Sequence, residues 1–124
     1  MSTSETKPLV VRQAYGNTQV LSIRVSEVWR ADTIDALGHA IRREIEASGA
    51  GGRFVLDLSE VTFLTSAALG LLMNLHAHLS KRGYPFVLAG AQGEVARVFE
   101  HVRLGEVLPL YPTVEDAVRN LRCC

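Results

Sequence analysis

Arg53-Phe54-Val55-Leu56-Asp57-Leu58 lies between Gly52 and Ser59, an apolar run too short to be a stable helix on its own. A run of this length, rich in large and β-branched side chains, reads as a buried strand. It leads within a few residues to Thr65-Ser66-Ala67-Ala68-Leu69-Gly70, the start of a long apolar stretch of helical character that ends near residue 82, before Gly83. A hydroxyl residue before such a stretch is an N-cap signal. A buried strand running into an apolar helix forces an architecture in which helices cover a sheet.

The flanking sequence repeats the alternation. Leu9-Val10-Val11 and Val20–Val25 read as two strands, with Gly16-Asn17 as the turn signal between them. Asp32 is placed to cap a helix, with Asp35 three residues on, and Ile34, Leu37, Ile41 and Ile45 recur at helical spacing. Ser48-Gly49-Ala50-Gly51-Gly52 stops that helix, because glycine accepts the left-handed dihedrals of a C-terminus. Phe86-Val87-Leu88-Ala89 is another buried strand. From about Gly93, the residues Val95, Val98, Phe99 and Val102 trace one helix face. Val107–Tyr111 is short and extended, and Pro109 suits an edge strand. Thr113-Val114-Glu115-Asp116 resembles a capping box and opens a last helix, with Val114, Ala117, Val118 and Leu121 inward. The order is β-β-α-β-α-β-α-β-α. It predicts one α/β domain over residues 9–122, a mixed, mostly parallel sheet packed with about four helices. Residues 1–8 are expected to be a disordered tail and 123–124 a second one.

Acidic and basic residues balance at 13 each, so no overall field draws the chain to nucleic acid or anionic lipid. No window approaches the roughly 18 apolar residues that cross a bilayer. Met1–Lys7 is polar, without the hydrophobic segment of a secretory signal. Cys123 and Cys124 are adjacent and have no other cysteine to pair with, so they cannot staple a core. These features predict a cytoplasmic protein without membrane insertion, whose partner is chosen by shape and local chemistry.

The helix from Ser66 has two faces. Ala68, Leu71, Leu72, Leu75 and Leu79 form one stripe, expected on the sheet. Ser66, Gly70, Asn74 and His78 form the opposite, exposed stripe. Leu69 and Met73 flank it, either as core or as the apolar edges of a docking surface. Thr65 and Ser66 read first as a plain helix cap, worth about 1 kcal/mol, since hydroxyl caps are common, and second as a switch, because a phosphate at a helix N-terminus meets free N–H groups and a favourable dipole. Enzymatic chemistry finds no support. The chain has no Gly-x-Gly-x-x-Gly and no Gly-x-x-x-x-Gly-Lys loop to cradle a nucleotide. Ser66 has no base near it in sequence, only the distant His39, His76, His78 and His101. His76 and His78, two apart on a helix, point in divergent directions and cannot share a metal. Trp29 reads as a partly buried aromatic or as a partner contact. No cofactor and no metal site are expected.

Together these residues resemble the STAS domain, in particular the bacterial anti-sigma factor antagonists. Val55-Leu56-Asp57-Leu58-Ser59-Glu60-Val61-Thr62-Phe63 matches the family's strand and the loop behind it, and Thr65-Ser66-Ala67-Ala68-Leu69-Gly70 occupies its switch segment. Val98-Phe99 and Leu110-Tyr111-Pro112-Thr113, leading to Val114-Glu115-Asp116-Ala117, extend the likeness over residues 9–122. The resemblance implies a non-enzymatic switch that binds an anti-sigma factor with serine kinase activity and so regulates sigma-factor-dependent transcription. The kinase phosphorylates a serine, the pair separates, and a phosphatase resets it. Ser66 is the matching serine, with Thr65 as the second choice. Thr65, Ser66, Ala67, Leu69, Gly70, Met73 and Asn74 are the implied partner-binding residues of a monomer or weak dimer. Three departures stand out: Thr65 in place of the family's Asp, Ala68 in place of its Gly, and Ser26-Glu27-Val28-Trp29-Arg30 in place of a Gly-Glu-Leu-Asp loop. They leave open a rival reading, an unphosphorylated STAS scaffold within a signalling complex or transporter.

Overall fold

A computed structural model describes residues 9–28, 30–48 and 52–122. The two expected tails, Trp29 and the 49–51 part of the helix stop lie outside the described residues. The main sheet has five strands: β1 (Val10–Tyr15), β2 (Thr18–Ile23), β4 (Arg53–Asp57), β6 (Phe86–Ala89) and β7 (Leu110–Tyr111), in the order β1-β2-β4-β6-β7. β1 is antiparallel to β2, and every other pair is parallel. A separate parallel pair joins β3 (Glu27–Val28) to β5 (Phe63–Leu64). Four helices complete the domain: α1 (Ala31–Ala47), α2 (Ser66–Lys81), α3 (Gly93–His101) and α4 (Val114–Arg122).

The register explains how the helices divide. Val20, Val55 and Val87 pair across three strands, and one residue on, Leu21, Leu56, Leu88 and Leu110 pair across four. Successive strand residues face opposite sides of a sheet. The leucine row therefore packs under α1, α2 and α3, with Leu37, Ile41, Ile45, Leu72, Leu75, Leu79, Val95 and Phe99. The valine row packs under α4 alone, with Ala117 and Leu121. Strands buried on both faces carry no polar alternation, which is why 53–58 reads as one apolar run. Full burial of one such Leu or Val is worth roughly 1.5–3 kcal/mol, so these two rows hold the layers together.

Several expectations shift. β1 runs on to Tyr15 and β2 starts at Thr18, with Gly16-Asn17 as the whole two-residue loop. Gly16 has φ +64°, the left-handed value that primed hairpin turns demand. β1 escaped notice beyond Val11 because only Val10 is buried on this edge strand. β3 and β5 were not foreseen, since two residues are too few for any period to register. Asp32 is not the cap of α1. Arg30 holds that position with extended backbone, while the Asp32 carboxylate accepts the Thr33 amide at 2.8 Å from inside the first turn. Val102 does not continue the buried face of α3: it is 49% exposed, and the chain leaves the helix through Arg103 at φ 56°. Val107 is equally exposed, and the last strand shortens to Leu110–Tyr111, at the sheet edge as Pro109 suggested. Thr113 behaves as expected, its hydroxyl accepting the Asp116 amide at 3.1 Å.

Candidate functional site

The segment that carries Ser66 is anchored at the C-terminal ends of the parallel strands. Asp57 closes β4 with both carboxylate oxygens engaged: Oδ2 accepts the Ser22 hydroxyl at 3.1 Å and Oδ1 the Ser59 amide at 3.0 Å. The Leu58 amide donates to the Ala89 carbonyl at 2.8 Å, and Gln92 Nε2 to the Ser59 carbonyl at 3.1 Å. Further along, the Ser26 carbonyl accepts the Thr62 amide, the Thr62 hydroxyl and the Phe63 amide. The Thr65 amide then donates to the Val28 carbonyl at 3.2 Å. Ser66 thus emerges from a loop tied at both ends to neighbouring strands, so its position is fixed before α2 begins.

Thr65 is the N-cap residue by backbone: its φ and ψ are extended, and its carbonyl accepts the Leu69 amide at 3.1 Å. Its side chain does not cap, contrary to expectation. The Thr65 hydroxyl oxygen is buried and has no hydrogen-bond partner among the described residues. Ser66 is the first helical residue and is exposed, as are Ala67, Gly70, Asn74 and His78. The first turn of α2 holds no acidic residue, leaving its positive end without a countercharge. Ala68, Leu72, Leu75 and Leu79 are buried as expected, but Leu71 is only half-buried. Leu69 and Met73 fall between core and surface: each is half-buried, packs against the main core, and leaves its remaining surface beside the exposed stripe.

Phe63, three residues before Ser66, is an exposed aromatic that the sequence did not single out as a site residue. In β5 it points outward, 49% exposed, while Leu64 points in at 7%. The available signal was the alternation of one residue pair, too little to act on. Ser66 heads an exposed stripe of α2 flanked by the half-buried Leu69 and Met73. Gly70 lies at its centre, and a Cβ built there meets nothing within 4 Å. Gly70→Ala should accordingly raise stability by about 1 kcal/mol, the helix-propensity difference, read as a higher urea midpoint at unchanged slope.

His39, His78 and His101 are exposed and His76 half-buried. Among the described residues no three His, Cys, Asp or Glu side chains could hold a metal together. The cavity beneath α2, lined by Ile23, Val28, Leu37, Ala68, Leu71 and Leu72 among others, measures about 10 Å³ and is wholly apolar. That is scarcely room for one water. Among the described residues no helix is long and apolar enough to cross a membrane. Near the site, the exposed Arg30 side chain forks onto Asp32 through Nε and Nη2, each at 3.2 Å. The guanidinium bond pulls the Asp32 carboxyl below its ordinary range, and the Thr33 amide adds to the effect.

The family model described as the STAS domain matches residues 12–117. A curated relative from Thermotoga maritima, provisionally named an anti-sigma factor antagonist, is 29% identical over 70 residues. That stretch is 56% of this chain and 62% of the relative, so the match spans less than two thirds of the relative's length. The crystal structure of an anti-sigma factor antagonist from Mycobacterium paratuberculosis superposes with a TM-score of 0.77 at 30% identity, covering 91% of this chain and 92% of that one. The Bacillus cell fate determinant SpoIIAA in its phosphorylated form gives a TM-score of 0.64 at 16% identity, covering 90% and 98%, a likeness of fold alone.

Proposed function

Starting from the fact that the chain belongs to the STAS domain family, we propose that it is an anti-sigma factor antagonist of the cytoplasm, a binding module without catalysis of its own. Its partner is an anti-sigma factor with serine kinase activity, which it occupies and so releases a sigma factor. The observation that carries this reading is Ser66: exposed, first in α2, and heading a stripe of small residues flanked by the half-buried Leu69 and Met73. Thr65 ranks below it as the acceptor, because its hydroxyl is buried.

The mechanism follows from charge and desolvation. Unmodified, the face offers apolar contact and close backbone approach at Gly70. The kinase transfers the terminal phosphoryl group of ATP to Ser66 Oγ, which loses its proton as ADP leaves. The product carries roughly −1.5 to −2 charges at neutral pH. On the free protein that charge is tolerated at a helix N-terminus. In the complex it must be stripped of water against apolar surface. Each 1.4 kcal/mol of that cost weakens binding about tenfold, so a few kcal/mol releases the partner until a phosphatase resets it.

The test is phosphosite mass spectrometry on the protein isolated from its native cells, in growth and under stress. A phosphate on Ser66 whose occupancy changes with condition supports the switch. No phosphate in either condition would overturn it in favour of the constitutive scaffold, in which Thr65 and Ser66 are merely small residues that let a partner approach. The contact face is checked separately. Gly70→Glu projects a charged side chain into open space at the centre of the surface. It should cut partner binding at least tenfold while circular dichroism and thermal unfolding remain those of the wild type.

A further inference from the structure

The small β3–β5 pair ties the approach to α1 to the start of α2. Val28 and Leu64 are its last paired residues, and the Thr65 amide continues the ladder onto the Val28 carbonyl at 3.2 Å. Arg30 is the N-cap residue of α1 and Thr65 that of α2. The two helices touch further in, where a Cβ added to Gly38 would lie 3.0 Å from Leu71 Cδ1. Arg30 lies two residues beyond Val28 and Ser66 two beyond Leu64, so the two stand at matching steps past the paired register. Among the described residues the Arg30 guanidinium bonds Asp32 alone, in an exposed pair with side chains 61% and 71% accessible. Such pairs are weak and easily exchanged.

Resting on the reading of Ser66 as the phosphoacceptor, we infer that Arg30 is the chain's own receptor for that phosphate, giving up the Asp32 carboxylate to pair with the modified serine. A phosphate offers more charge and a third acceptor oxygen, and arginine's planar fork suits it as well as it suits a carboxylate. The exchange leaves the fold intact, because Arg30 caps α1 through its backbone and makes no side-chain capping bond. It draws the Arg30 side chain across the start of α2, so that phosphorylation adds a positive group to the docking edge as well as a negative one. The Asp32 carboxylate, already stabilised by the Thr33 amide at 2.8 Å, remains satisfied after the guanidinium leaves.

The experiment uses full-length protein with phosphoserine inserted at position 66 during translation, which removes the need for the kinase. The phosphorus NMR signal is followed against pH. The wild-type background should titrate below the ordinary second pKa of a phosphoserine, near 6. Arg30→Gln should move the midpoint up by roughly half a pH unit or more, the scale of an exposed ion pair. Asp32→Asn should move it down, by freeing the guanidinium. Arg24→Gln is the control for general charge, since Arg24 is paired elsewhere, with Glu60 at 3.2 Å. An identical midpoint with and without Arg30, or an equal rise from Arg24→Gln, overturns the inference. Either result leaves Ser66 as an acceptor untouched, because that is decided by the phosphosite analysis of native protein.

Discussion

Ser66→Asp should weaken binding to the anti-sigma partner at least tenfold and at the same time slightly stabilise the free domain, whereas Ser66→Ala should keep full affinity. The opposite signs make the prediction sharp. Ser66 is the first residue of α2, whose opening turn contains no acid. An aspartate there faces the positive end of the helix and should contribute about 0.3–1 kcal/mol to folding. The same carboxylate, heading the stripe that Leu69 and Met73 flank, must be desolvated when a partner closes over it. A loss of 1.4 kcal/mol in the complex already gives the tenfold change. Titration calorimetry reads the affinity and thermal unfolding the stability. Equal affinity for the two variants would remove the switch. A weaker complex together with a destabilised domain would mean that Ser66 acts through the fold rather than at an interface.

The sequence revealed what periodicity can encode and missed what depends on distant partners. The doubly buried strands 53–58 and 86–89, the α2 stripe of Ala68, Leu72, Leu75 and Leu79, and the Thr113 cap of α4 were readable, because each repeats a local rule over several residues. The α/β class and the mostly parallel sheet followed from them. The pair β3–β5 was hidden by its length, and with it the outward turn of Phe63. Thr65 was expected to cap because it has the right chemistry in the right place. Its hydroxyl instead lies buried and unbonded, an outcome decided by packing around the helix start rather than by the helix. The same holds for Leu69 and Met73, whose spacing left core and surface equally open and which fall between the two. Asp57 stood out in the sequence only as part of a family-like motif. Its work is to join Ser22, 35 residues earlier, to the start of the switch loop at Ser59, which no window of sequence displays.

The second large effect should arise where that loop is anchored. Gly90 follows β6 at φ +81°, and its amide donates to the Tyr111 carbonyl at 3.1 Å, so this backbone conformation is set by the sheet. A Cβ added here would stand 2.9 Å from Asp57 Oδ1 and 3.2 Å from both the amide nitrogen and the Cβ of Ser59. Two costs therefore combine in Gly90→Ala. The left-handed conformation costs a non-glycine residue about 1–2 kcal/mol, and forcing a methyl into filled space costs roughly 1–3 kcal/mol more. The expected loss is about 2–5 kcal/mol, a large share of a small domain's stability. Gly16 isolates the first cost: it shares the left-handed φ, at +64°, yet a Cβ there meets nothing within 4 Å. Gly16→Ala should lose only the conformational part. Urea unfolding of both variants decides the matter, and a Gly90→Ala loss no greater than that of Gly16→Ala would refute the crowding argument. The damage should also be directional. Displacing Asp57 Oδ1 breaks its bond to the Ser59 amide, so in Gly90→Ala the amides of residues 59–65 should exchange hydrogen faster than those of β4 itself. Loss of protection spread evenly over the sheet would show instead that Asp57 does not position the segment that presents Ser66.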